Sequence, residues 1–149
     1  MTEIRFYHLQ KKSADAVLAE LAERALSRGH RIIVRTRDEN ETNRLNDFLW
    51  TFRPDSFLPH GTANDLKPDM QPIFLTAARD NPNNADCIFL MPGCVTDQID
   101  DYKLCCDILD GRDEEQIQQG RSRWKDWKSQ NHNMSYWQQN DAGKWEQKQ

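Results

Sequence analysis

The chain lacks an apolar run of 18 residues and a signal-like N-terminus, so no membrane-spanning helix is predicted and a cytoplasmic setting is expected. Strongly apolar side chains are scarce: Leu, Ile, Val and Phe number 12, 8, 3 and 6 among 149 residues. That sparseness argues against a large or two-layered core. An excess of one charge is missing too. Twenty Lys and Arg stand against 24 Asp and Glu, giving a net charge of −4 and a pI near 5.5. The balance is too even for a chain disordered throughout, and the sign is wrong for one that adheres as a whole to nucleic acid. A chain of 149 residues suits a single domain spanning residues 1–149.

Site-forming spacings are absent as well. The four cysteines, Cys87, Cys94, Cys105 and Cys106, form no C-x-x-C pair, and no H-x-x-x-H accompanies them. Neither structural zinc nor a disulfide framework is therefore expected, and the thiols read as reduced, several of them buried. There is no G-x-S-x-G elbow and no H-E-x-x-H, and His8, His30, His60 and His132 stand far apart in sequence. The acidic runs Asp97, Asp100, Asp101 and Asp113, Glu114, Glu115 read as solvated helix starts, where carboxylates favour the positive end of the helix dipole. No catalytic constellation, metal or cofactor is implied.

What is present is an ordered alternation. Residues 4–9 read as a strand, 11–28 as an amphipathic helix with Ser13 as its cap and Gly29 as its stop, 30–36 as a strand, and 40–50 as a second helix. A Pro, Gly and Asn-rich stretch over 54–71 interrupts the pattern before buried strands at 72–76, 87–91 and 104–109. A helix over 113–128 and a hairpin over 135–148, turning at Asn140-Asp141-Ala142-Gly143, close the chain. Strand, helix, strand, helix predicts an α/β fold with a mostly parallel sheet flanked by helices. Such a sheet invites a nucleotide, but Gln10, Lys11, Lys12, Ser13, Ala14 and Asp15 follow the first strand with no glycine to admit a pyrophosphate.

Two places look like binding surfaces. Residues 121–149 carry six Lys and Arg against three Asp and Glu, a net +3, while the first 120 residues carry −7. Within this basic end, Arg121, Trp124, Lys125 and Lys128 share one helical face, joined locally by Arg123 and Trp127. Guanidinium beside indole suits an acidic peptide with an aromatic anchor. Single-stranded nucleic acid could use the same groups by stacking and phosphate neutralisation. The structural alternative is that Trp124 or Trp127 packs into the core and the cations are merely solvated. The second place gathers Phe48, Leu49, Trp50, Phe52, Phe57, Leu58 and Pro59 around a helix end and a loop. Either these complete the core, or Trp50 and Phe57 form a patch awaiting a partner.

At these two places the sequence resembles the chi subunit of bacterial DNA polymerase III holoenzyme. The matching residues are Arg5-Phe6-Tyr7, Arg44-Leu45, Leu49-Trp50, Asp55-Ser56-Phe57-Leu58-Pro59-His60, Arg121-Ser122-Arg123-Trp124-Lys125, and Tyr136-Trp137-Gln138-Gln139 with Gly143 and Trp145. The segments over 97–106 and before Arg121 depart from the pattern. The resemblance implies a nucleotide-binding-like (Rossmann-like) α/β fold without the glycine-rich loop, ending in a C-terminal helix and hairpin, with no catalysis and no cofactor. It implies an adaptor of the clamp-loader assembly in DNA replication. One surface would hold the psi subunit in a heterodimer and another the acidic C-terminal tail of single-stranded DNA-binding protein. Trp50, Phe57, Leu58 and Pro59 would face psi. Arg121, Trp124 and Lys125 would receive the tail's carboxylate and aromatic ring, Arg123 and Lys128 would add positive field, and Leu109 would line the pocket. A direct single-strand binder and an accessory subunit of a DNA-repair helicase are the competing readings.

Overall fold

Each α-helix among the described residues starts where a short polar side chain satisfies its orphan amides. The computed structural model describes residues 1–52, 58–65 and 67–149. In it, Ser13 Oγ accepts from Ala16 N at 3.2 Å ahead of α1 (Ala14–Ser27). Asp38 caps α2 (Glu39–Thr51) by accepting from Glu41 N at 2.8 Å, and Asp113 caps α3 (Glu114–Ser129) through Glu115 N at 3.0 Å. The acidic residues Asp113, Glu114 and Glu115 are thus a helix start, as expected. Beyond α1, Gly29 takes φ +88°, a left-handed turn that favours glycine.

The strands are β1 (Glu3–Leu9), β2 (Ile32–Arg35), β3 (His60–Gly61), β4 (Ile73–Thr76), β5 (Cys87–Leu90), β6 (Leu104–Asp110), β7 (Asn133–Gln139) and β8 (Trp145–Gln147). They form one eight-stranded sheet in the order β3-β4-β2-β5-β6-β1-β7-β8, parallel except for the β7–β8 hairpin. The α/β fold expected from the alternation is present. The two-residue β3 was not expected; it lies in the stretch read as an interruption. From β1 the chain crosses through α1 to β2, and from β6 it crosses the opposite way through α3 to β7. Right-handed crossovers in opposite directions place α1 and α3 on opposite faces.

Both faces of the sheet are consequently covered, against the expectation of a core too poor for two layers. The shortfall in aliphatic side chains is made up by small and aromatic ones. Ala19, Ala22 and Ala25 let α1 lie close to the sheet, all four cysteines are buried and free, and Phe6, Tyr7, Tyr102 and Trp127 fill the larger gaps. Burial pushes the Cys105 thiol well above its ordinary pKa and the Cys94 thiol to about 12, so these sulfurs act as apolar filler. Among the described residues no helix is long and apolar enough to cross a membrane, and no cluster of side chains has the makings of a metal site.

Candidate binding groove between the last helix and the sheet edge

Alternation along β1 sends Phe6 and His8 to the α3 face and Tyr7 to the other. Parallel register sets Asp107 and Leu109 of β6 on one side of that pair, and Tyr136 and Gln138 of β7 on the other. Above them, α3 comes unusually near the sheet at Gly120, where a Cβ would meet Leu109 Cδ2 at 2.8 Å. The helix is thereby pinned over β6, and between its other flank and β7 runs an open groove of about 770 Å³. Leu109 and Phe6 form its floor, Trp124 and Tyr136 its walls, and Arg121 and Lys125 its cationic rim.

The aromatic walls brace one another. Trp124 meets Phe6 edge-on at 5.4 Å between ring centroids and Tyr136 at 6.1 Å. The Tyr136 hydroxyl lies 2.5 Å from His8 Nδ1. Burial raises the Tyr136 hydroxyl's pKa despite the opposing field of Arg121, and burial lowers that of His8 despite Asp110. Both therefore favour their neutral forms beside the cationic Arg121 and Lys125 of the rim. Arg121 is exposed and has no ion pair among the described residues, so its guanidinium is available for an anion.

The structure separates the tryptophans that the sequence left undecided: Trp127 is core at 6% exposure, and Trp124 is the half-buried groove wall. Arg121, Trp124, Lys125 and Leu109 come together, whereas Lys128 is exposed beyond the groove. Arg123 does not join them. It faces the other flank of α3 and donates from Nε and Nη2 to both oxygens of Asp107, at 2.8 and 3.0 Å. Asp107 is 1% exposed, and a buried carboxylate needs such a partner, so Arg123 spends its charge inside the protein. Asp107 in the apolar run Leu104-Cys105-Cys106-Asp107-Ile108-Leu109 was the sequence signal for that pairing. Phe6, His8 and Tyr136 were also missed as groove residues; the alternation of β1 and β7 carried them.

At the far end of the sheet, Trp50 is 51% exposed at the C-terminal end of α2, its ring 4.5 Å from that of His60. His60 is buried between two carbonyls, Leu58 O at 2.5 Å and Asn46 O at 3.1 Å, which ties β3 to α2 beneath the indole. Leu58, expected on the surface beside Trp50, is instead 3% exposed and belongs to the core. Its side chain joins the hydrophobic core, where burial removes its apolar surface from water. Pro59 is half-buried, and Phe57 lies outside the described residues.

The fold and groove define a class of α/β scaffold: a parallel sheet whose first strand-to-helix turn has no glycine, with a cationic, aromatic groove along its last helix. Residues 1–135 match the family model described as DNA polymerase III chi subunit, HolC, and the chain belongs to that family. It is 30% identical over 91 residues to a Rickettsia prowazekii (strain Madrid E) protein named "Probable DNA polymerase III subunit chi", covering 61% of this chain and 55% of the relative. It is 32% identical over 68 residues to the DNA polymerase III subunit chi of Pseudomonas aeruginosa PAO1, covering 44% and 48%. The chain thus spans about half the length of the curated relatives it matches.

Proposed function

We propose that this protein is a non-catalytic adaptor in the DNA polymerase III assembly during DNA replication, and that the α3 groove binds the acidic C-terminal tail of single-stranded DNA-binding protein. The observation that carries the reading is an unpaired, exposed Arg121 at the rim of a groove walled by Trp124 and Tyr136, in a chain otherwise acidic. A terminal carboxylate accepts from Arg121 with Lys125 adjoining, while an aromatic side chain of the tail enters between Trp124 and Tyr136 over Leu109. The psi subunit docks at the opposite end of the sheet, against Trp50 and Pro59, with Phe57 contributing as well.

A charge-assisted hydrogen bond is worth roughly 1.5 to 3 kcal/mol, so Arg121→Ala weakens binding of a peptide ending in Asp-Phe-Pro-Phe about tenfold or more. Fluorescence anisotropy with labelled peptide, beside labelled poly-thymidine, measures this. Unchanged peptide affinity at low salt would sink the placement. Affinity for poly-thymidine alone, with a steep salt slope, would transfer the groove to nucleic acid.

A further inference from the structure

On the face opposite α3 there is a second, more enclosed cleft of about 340 Å³, between the C-terminal half of α1, the N-terminal ends of β1 and β6, and the β7–β8 hairpin. Its lining concentrates positive charge in a protein of net −4. Arg5, Arg24, Arg28 and Lys103 face it against Glu3 as its one carboxylate, while His30, also in the lining, lies 2.9 Å from the Asp86 carboxylate. Glu3 is already engaged by Arg5 Nε at 2.5 Å, and Arg24 is paired with Glu20 at 3.1 Å. Arg28 and Lys103 are exposed and have no ion pair among the described residues.

The rest of the lining is aromatic. Trp137 stacks on Tyr7 at 6.5 Å and 24°, and Trp145 meets the same ring edge-on at 5.0 Å. The Trp145 indole N–H is buried and finds no acceptor among the described residues. A helix C-terminus ordinarily repels anions. Here the last carbonyls of α1 are already taken: those of Arg24, Ala25 and Leu26 accept from Ser27 Oγ and from the amides of Arg28, Gly29 and His30. The side-chain cations therefore set the sign of the local field.

We infer that this cleft is a binding site for a nucleoside monophosphate unit, its phosphate held by Arg28 and Lys103 and its base against Trp137 and Trp145. The volume suits a ligand of that size, a guanidinium and an ammonium suit a phosphate, and indole rings suit a base. The unit arises from a free nucleotide or from the phosphorylated end of a single strand. This site is separate from the α3 groove, so its failure would leave the peptide reading intact.

The test is titration of the full chain, followed by tryptophan fluorescence, with thymidine 5′-monophosphate, thymidine, inorganic phosphate and 5′-phosphorylated oligo-thymidine. Saturable binding of the monophosphate at least tenfold tighter than thymidine or phosphate, and lost at least tenfold in Arg28→Ala/Lys103→Ala, is the expected result. Both substituted side chains are exposed and have no ion pair among the described residues, and an unchanged urea-unfolding midpoint of the double variant checks its fold. Binding of the phosphorylated oligomer as well assigns the ligand to a strand end, and its absence assigns a free nucleotide. Equal affinity of wild type and variant for the monophosphate, or no saturable binding, overturns the site.

Discussion

At the residue scale, the two arginines of Arg121-Ser122-Arg123 have opposite fates because a helix turns about 100° per residue. Arg121 meets solvent at the groove, whereas Arg123 reaches across to Asp107 on β6. Desolvation pushes the Asp107 carboxyl up in pKa and Arg123 opposes it, so removing the guanidinium strands a buried acid. Arg123→Ala should therefore destabilise the fold by roughly 3 to 5 kcal/mol, read from urea unfolding. The double change Arg123→Met/Asp107→Leu should recover most of that loss, since an apolar pair of similar volume leaves no uncompensated charge. A stable Arg123→Ala protein with peptide affinity reduced tenfold would instead return Arg123 to the groove. The sequence could show that Arg121, Trp124 and Lys125 share a face, because that is local helical geometry. It could not show where Arg123 points, because its partner lies on another element.

At the scale of elements, what was legible followed from the range of the forces involved. The cap Ser13, the acidic start at Asp113 and the periodicity of α1 and α3 are local, and their helices appear within a few residues of the predicted bounds. The strand order is set by long-range pairing and by which crossovers bury which faces, so no local pattern carried it. Two-residue β3 has too few positions to show alternation. The seat of α3 on β6 is likewise tertiary and rests on Gly120. Replacing a mid-helix glycine by alanine gains about 1 kcal/mol in helix propensity. Here the added methyl would sit 2.8 Å from Leu109 Cδ2 and 2.9 Å from its Cδ1, so the Leu109 side chain or the helix must shift. Overpacking costs about 1 to 3 kcal/mol, so Gly120→Ala should lower the melting temperature despite the propensity gain. Adding Leu109→Val, which removes the clashing methyls, should restore stability relative to the sum of the single changes. A melting temperature raised by Gly120→Ala alone would show that the helix slides freely and that the groove floor is not fixed by this contact.

At the scale of the whole molecule, the sheet acts as a spacer between two surfaces of different chemistry. Trp50 belongs to α2, which packs on β3 and β4, while Arg121 belongs to α3, which packs on β6 and β7. From β4 to β7 the order runs through β2, β5, β6 and β1. At about 4.8 Å per step, five steps separate the two ends by roughly 24 Å. Residues so far apart, sharing no partner, are energetically independent in a rigid scaffold. Trp50→Ala should therefore abolish copurification with psi and leave the affinity for the Asp-Phe-Pro-Phe peptide unchanged, while Arg121→Ala does the reverse. In the double variant, the loss of peptide affinity should equal that of Arg121→Ala within about 0.5 kcal/mol. Because Trp50 is half exposed, its removal should also leave the thermal transition nearly in place, and a large fall would mark the indole as core. Coupling well beyond that margin would mean the two ends communicate. The protein would then be a relay, in which occupancy by psi tunes the grip on the tail, rather than a bracket holding two partners at fixed separation.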